Sequence, residues 1–146
     1  MNATQLRRLL KDGTYLTKSV DDVVAELVKQ VWTGKDKYVP ELANIIEEKF
    51  PGKVKAVERV IYDSDGKIIT DLDIELDNIV IQVKSGSARK LTRQMIVTAN
   101  ATGKTVVSYT PDINQSAAVL RDIREKGYKT FTTTEELLAY LDEVYK

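Results

Sequence analysis

Three side chains that could act together in catalysis, Asp73, Gln82 and Lys84, lie on two predicted strands joined by a short turn. On the second strand, apolar residues alternate with Gln82 and Lys84, so the two-residue period of a strand directs both side chains to one face. On the first strand, Asp73 belongs to a series of acids that alternates with apolar residues. If residues 76–78 form the turn, the acidic edge of one strand lies beside the amide and lysine of the next. Carboxylates that hold a hard divalent cation, next to a lysine that orients or activates water, are what phosphodiester hydrolysis requires.

The chain of 146 residues contains no cysteine and no histidine. Ser-His-Asp and Cys-His catalysis, disulfides and zinc sites built on these residues are therefore excluded. Any catalysis must use carboxylates, amides, lysine, arginine, tyrosine, or a metal held by oxygen ligands. Oxygen ligands favour Mg²⁺ or Mn²⁺ over zinc.

Length and composition predict one compact domain over residues 1–146. No apolar run approaches membrane-spanning length, and no basic-then-apolar leader follows Met1, so we expect no membrane segment and a cytoplasmic location. The net charge is zero, but basic residues cluster after the acidic strand, at Lys84, Arg89, Lys90 and Arg93. This cluster borders the proposed catalytic residues, where a polyanionic substrate would bind.

Periodicity and capping signals predict the elements that must position these side chains. A helical extension is expected over residues 1–34, and a further helix begins at Pro40 and ends before Pro51. Three strands, a helix and two strand-helix units follow. The predicted strands lie at residues 54–62, 67–76, 78–84, 106–109 and 129–131. One predicted helix follows Ser87, the next spans residues 114–126, and the last begins at Thr133. The order α-β-β-β-α-β-α-β-α over residues 35–146 predicts an α/β fold in which helices flank a mixed central sheet.

An α-β-β-β-α-β core with an acid on its second strand and a lysine motif on its third resembles the PD-(D/E)XK nuclease superfamily, which has the restriction-endonuclease-like fold. The resemblance covers roughly residues 38–131. Asp73, within Asp-Leu-Asp-Ile, matches the motif aspartate, and Lys84, followed by Ser-Gly, matches the motif lysine. Gln94 falls in the next helix, where many members carry a glutamine. Gln82 departs from the motif, because glutamate or aspartate is commoner there.

The resemblance implies a metal site and a cofactor. Asp73, Gln82 and the main-chain carbonyl of Val83 would hold Mg²⁺ or Mn²⁺. Lys84 would position or activate the attacking water and stabilise charge on the phosphate. Gln82 still offers a carbonyl oxygen to a hard cation, without the charge that tightens binding.

The resemblance also implies a glutamate on the helix before the sheet and a surface that holds the substrate. Glu41 is the preferred candidate for this glutamate, because it lies early in that helix, and Glu47 and Glu48 compete with it. The residues implied to hold the backbone of the nucleic acid are Ser85, Ser87, Arg89, Lys90 and Gln94.

These features predict a metal-dependent endonuclease that hydrolyses phosphodiester bonds, with DNA favoured over transfer RNA as substrate. One alternative is a toxin-type nuclease domain that acts in the cytoplasm of a competitor bacterium and has a cognate inhibitor as partner. A small homing or junction-cutting endonuclease, including one that works as a homo-oligomer, is a second. A third is a nucleic-acid-binding module with the same fold and a weakened site, which Gln82 favours.

Overall fold

The computed structural model describes residues 31–146, so most of the helical extension predicted for residues 1–34 lies outside the described residues. The helices are α1 (Tyr38–Lys49), α2 (Leu91–Thr102), α3 (Ala118–Glu125) and α4 (Thr134–Val144). The strands are β1 (Ala56–Tyr62), β2 (Ile68–Glu75), β3 (Ile79–Val83), β4 (Thr105–Tyr109) and β5 (Lys129–Phe131). Their order along the chain confirms the predicted order.

The strands form one five-stranded mixed sheet in the order β1-β2-β3-β4-β5. The β1-β2 and β2-β3 pairs are antiparallel, whereas β3-β4 and β4-β5 are parallel. The parallel pairs follow from the helices α2 and α3, which return the chain to the same end of the sheet. The predicted α/β class with a mixed sheet is therefore confirmed.

Helices cover both faces of the sheet, and each face has its own apolar core. On one face, residues of α1 and α4 such as Ile46 and Leu137 pack against Ile79 and Ile81 of β3. On the other, residues of α2 and α3 such as Met95 and Leu120 pack against Val80. Alternate residues of β3 thus serve opposite cores, which explains why this strand is buried along its whole length.

Local signals in the sequence explain several boundaries. The Thr133 hydroxyl accepts a hydrogen bond from the Glu136 N–H and caps α4, as predicted. The turn at residues 63–66 is also confirmed, since the Asp63 carboxylate accepts bonds from the Asp65 and Lys67 N–H groups. The helix predicted from residue 114 begins later, at Ala118, because the Asn114 side chain forms a local turn by accepting the Ser116 N–H.

Strict alternation along β2 predicts that Ile68, Leu72 and Ile74 share one apolar face, and this prediction is wrong. The Ile68 side chain is 66% exposed. Leu72 and Ile74 pack into opposite cores. Val57 and Ile61 of β1 likewise lie in different cores. Both strands therefore switch faces between these residues, at a bend that simple alternation cannot predict.

No helix in the described part of the chain is both long enough and apolar enough to span a bilayer.

Candidate functional site

The main-chain pairing of β2 and β3 stops before Asp73 and Gln82, and hydrogen bonds made by the side chains of these two residues take its place. The paired residues end with Ile74 and Ile81. Beyond them, the Asp73 N–H donates to Oε1 of Gln82 at 3.2 Å, and Nε2 of Gln82 donates to the Asp71 carbonyl at 2.9 Å. The Val83 N–H donates to Oδ2 of Asp73 at 2.8 Å. Two residues of β3 thus hold Asp73, Gln82 through its main-chain N–H and Val83 through its carboxylate.

Gln82 is fully buried, and its amide is occupied by hydrogen bonds within the protein. Besides the Asp71 carbonyl, Nε2 donates to the hydroxyl of Thr98 on α2 at 2.9 Å. The Thr98 hydroxyl lies 2.8 Å from that of Thr70 on β2. Since an amide nitrogen carries two hydrogens, both donors of Gln82 are used.

The Asp73 carboxyl has a pKa raised from 3.8 to about 7. Burial is the largest cause, and the negative charges of Asp71, Asp36 and Glu58 add to it, while the hydrogen bond from the Val83 N–H opposes it. A carboxylate in this position is stabilised by any cation that binds nearby. The geometry therefore provides an electrostatic reason for cation binding beside Asp73.

Asp73 lines a pocket of about 950 Å³ at the bend of the sheet, hereafter the bend pocket. Its walls carry charges of both signs, with the acids Asp36, Glu58, Asp71 and Asp73 and the cations Lys35, Lys84, Lys90 and Arg93. Gln94 of α2 reaches into the same pocket, with Nε2 3.5 Å from Oδ1 of Asp71. The pocket is large enough for a nucleotide-sized group.

Glu58 shapes one wall of the bend pocket through an unusual backbone conformation. Its φ angle is +55°, in the left-handed region that is uncommon for residues other than glycine. Its carboxylate accepts hydrogen bonds from the N–H groups of Lys35, at 3.0 Å, and Asp36, at 3.2 Å. A Cβ at Gly34 would lie 2.7 Å from Oε1 of Glu58, so any larger residue there would displace the Glu58 carboxylate from its present position.

The cations of the bend pocket differ from those elsewhere in the sheet. Glu75 is paired with Arg59 and Lys104, and Asp77 with Lys53 and Lys55. By contrast, Lys84, Lys90 and Arg93 have no ion-pair partner within residues 31–146. Cations that lack an internal partner and share a pocket are available to an anionic ligand.

The structure brings together most of the residues predicted for the site. The bend pocket is lined by Asp73, Val83, Lys84, Ser85, Lys90 and Gln94. Gln82 does not line it, because its side chain points between β2 and α2. Ser87 and Arg89 are exposed outside it, and Arg89 instead lines a groove between α2 and α3.

Glu41 also lies outside the bend pocket. It occupies the first turn of α1 on the exposed side of that helix, whereas the buried side, with Leu42 and Ile46, faces the sheet. The competing candidate Glu47 belongs to the buried side and does not line the pocket either. The glutamate that does line it is Glu58, on β1.

Sequence reasoning missed Glu58, Lys35 and Asp36 as pocket residues. The bend that turns Glu58 inward leaves no periodic signal, since the residue reads as one more polar position of a strand. Gly34 was the available signal, because a glycine just before a helix can mark a close approach. Asp36 provided a second signal, for the start of a helix. Its carboxylate accepts the Tyr38 N–H at 2.8 Å and helps to start α1 earlier than predicted.

The residues that could hold a metal are few. No group of three acidic side chains in residues 31–146 is placed to hold an ion by itself. Asp73 nevertheless has one carboxylate oxygen, Oδ1, that receives no hydrogen bond from the described residues. Mg²⁺ commonly keeps several waters and uses only one or two carboxylates. A site of this kind would need only Asp73 as a direct ligand, and the other acids of the bend pocket could act through water.

Comparisons of the chain with protein-family models, with curated proteins and with solved structures each find no match.

Proposed function

We propose that this protein is an endonuclease that depends on Mg²⁺ or Mn²⁺ and hydrolyses phosphodiester bonds in nucleic acid. The observation that carries the proposal is the position of Asp73, whose carboxylate is fixed by the Val83 N–H in a pocket that Lys84 also lines. The order of the elements and the Asp73 and Lys84 motif positions support the PD-(D/E)XK assignment. The pocket adds support because it combines the partly buried Asp73 carboxyl with cations that have no ion-pair partner within residues 31–146.

The bound metal would supply a Lewis acid and a water of lowered pKa. Asp73 would hold the cation, since its Oδ1 receives no hydrogen bond from the described residues. Lys84 follows Val83 directly and would orient the attacking water or stabilise charge on the phosphate. Lys90 and Arg93 would bind phosphates of the substrate, and Ser85 and Gln94 would add neutral hydrogen bonds.

A second candidate function is a nucleic-acid-binding module with a weakened catalytic site. The specific observation in its favour is that Gln82 uses both amide hydrogens within the protein and does not line the bend pocket, so the pocket lacks the second acid that members of the superfamily usually supply there. Glu58 restores a carboxylate to the pocket, but its oxygens accept hydrogen bonds from Lys35 and Asp36. Cleavage assays separate the two functions directly.

The test is incubation of the protein with supercoiled plasmid, single-stranded DNA and total transfer RNA, in Mg²⁺ and in chelator. The proposal predicts cleavage of at least one substrate in Mg²⁺ and none in chelator. DNA cleavage favours a free-standing or junction-cutting enzyme, and selective cleavage of transfer RNA favours the toxin-type domain with a protein inhibitor as partner. Binding without cleavage of any substrate would contradict the enzyme and favour the binding module.

A further inference from the structure

A connected group of polar side chains lies next to the bend pocket, between the sheet and α2. It consists of Thr70, Gln82 and Thr98, hereafter the polar brace. Gln82 and Thr98 are fully buried, and Thr70 is 6% exposed. Buried polar groups are costly unless each is hydrogen-bonded, so their retention here requires a full set of partners.

One assignment of donors and acceptors gives every side-chain hydrogen of the polar brace a hydrogen-bond partner. Gln82 donates one hydrogen to the Asp71 carbonyl and the other to the Thr98 hydroxyl. When Thr98 donates onward to Thr70, the Thr70 hydroxyl remains free to donate to the Asp71 carbonyl, at 3.4 Å. The Gln82 amide and the Thr70 hydroxyl thus both donate to one main-chain carbonyl, two residues before Asp73.

The polar brace has a clear geometric consequence for Asp73. Gln82 bonds the carbonyl of Asp71 and the N–H of Asp73, so it holds the backbone of β2 on both sides of Leu72. In this arrangement the carboxylate of Asp73, and not a main-chain carbonyl, accepts the Val83 N–H. Thr98 fixes the amide of Gln82 in turn. The side chain of Asp73 is therefore set by a residue of α2 that does not line the bend pocket.

We propose that Thr98, acting through Gln82, is a positioning residue for the cation-binding carboxylate of Asp73, and that Gln82 is not itself a metal ligand. The proposal rests on the proposed function, because it assigns the polar brace a role in metal binding. Groups that hydrogen-bond behind a metal ligand commonly change metal affinity by about 10- to 100-fold when they are removed. Neither Thr98 nor Gln82 needs to contact the ion or the substrate for this effect.

The test uses Thr98→Val, which keeps the shape of the side chain and removes its hydroxyl. Thr130→Val is the matched control, since the Thr130 hydroxyl is buried in β5 and has no hydrogen-bond partner among the described residues. Thr98→Ser serves as the rescue variant, because it retains the hydroxyl. Hydrogen exchange of the Asp73 and Val83 amides is measured by NMR, Mn²⁺ affinity by electron paramagnetic resonance, and global stability by urea unfolding.

We expect Thr98→Val to lower the protection of the Val83 amide by about tenfold more than Thr130→Val does, and to weaken Mn²⁺ binding by about 10-fold or more. Thr98→Ser should retain most of both properties. Protection and Mn²⁺ affinity equal to those of Thr130→Val would overturn the proposal, as would lost protection with unchanged affinity. If the parent protein binds no Mn²⁺, the proposed function fails and the positioning role fails with it. A parent that binds Mn²⁺ and a Thr98→Val variant that binds it equally well contradict the positioning role alone.

Discussion

The main-chain N–H of Asp73 donates to Oε1 of Gln82 at 3.2 Å, so the two residues predicted to share a metal ion are hydrogen-bonded to each other. This contact helps to hold β2 and β3 together where their ladder ends. The chemistry of the bend pocket then depends on Asp73, the cations around it and the neighbouring acids.

Gln82→Glu should destabilise the fold. Glutamate cannot donate to the Asp71 carbonyl and the Thr98 hydroxyl, and each buried group left without a partner costs about 1–3 kcal/mol. The loss should be smaller at pH 5 than at pH 8, because a protonated carboxyl restores one donor. Urea unfolding at both pH values measures it.

The control for this variant is Asn100→Asp, at an exposed amide on α2 whose side chain makes no hydrogen bond within residues 31–146, and it should change stability by less than about 1 kcal/mol. A fully stable Gln82→Glu protein that needs less Mg²⁺ for half-maximal cleavage would contradict our account. That outcome would show that the side chain at position 82 reaches the metal.

Asp73→Asn should stabilise the protein in the absence of metal, and only towards alkaline pH. The Asp73 pKa is about 7 in the folded protein and near 3.8 in the unfolded chain, so the folded state binds the extra proton between these values. Stability of the parent therefore falls as the pH rises from about 4 to 7, by up to a few kcal/mol. Asparagine removes this loss and still accepts the Val83 N–H.

Unfolding measurements at pH 5 and pH 8 check the effect of Asp73→Asn. The variant should be clearly more stable than the parent at pH 8, and the difference in stability should be much smaller at pH 5. Mg²⁺ should reduce the difference at pH 8, because only the parent is stabilised by binding the cation. A difference that is independent of pH would show that Asp73 ionises normally in the folded protein.

Glu58→Ala should destabilise the protein by about 1–2 kcal/mol, because it removes the acceptor for the Lys35 and Asp36 N–H groups. Alanine does not relieve the strain of the positive φ angle, so no gain offsets this loss. The segment that leads into α1 should then show faster hydrogen exchange at these two amides. Glu58→Gln keeps a carbonyl acceptor and should retain most of the protection. Unchanged exchange in Glu58→Ala would mean that other contacts hold this wall of the bend pocket.

Lys84→Ala should lower the cleavage rate by about a hundredfold or more at every Mg²⁺ concentration, the usual scale for loss of a positioned catalytic group. The affinity for nucleic acid should change little, since Lys90 and Arg93 remain. Lys129→Ala, at the opposite edge of the sheet, is the control and should cleave at the parent rate. A parallel loss of affinity and rate in Lys84→Ala would instead assign Lys84 to substrate binding.

The sequence predicts the order of elements, the mixed sheet and the cap at Thr133, because helical periodicity, strand alternation and capping are local properties. It also places Asp73 and Lys84 near each other, since a three-residue connection between β2 and β3 leaves little freedom. It does not predict the burial of Gln82, which depends on Thr98 meeting it from a helix 16 positions later. The position of Glu58 in the wall of the bend pocket could not be predicted for a related reason. Tertiary contacts impose the left-handed backbone conformation of this strand residue.

Single-turnover cleavage by Asp73→Asn, on the substrate that the parent cuts fastest, tests the central claim most directly. The measurement covers a range of Mg²⁺ concentrations and includes a chelator control, with urea unfolding to verify that the variant is folded. We predict that the parent cleaves only with Mg²⁺ or Mn²⁺ and that Asp73→Asn loses about a hundredfold or more in rate, because the anionic oxygen that binds the cation is gone. Cleavage by Asp73→Asn at the parent rate, or cleavage by the parent in chelator, would contradict the account.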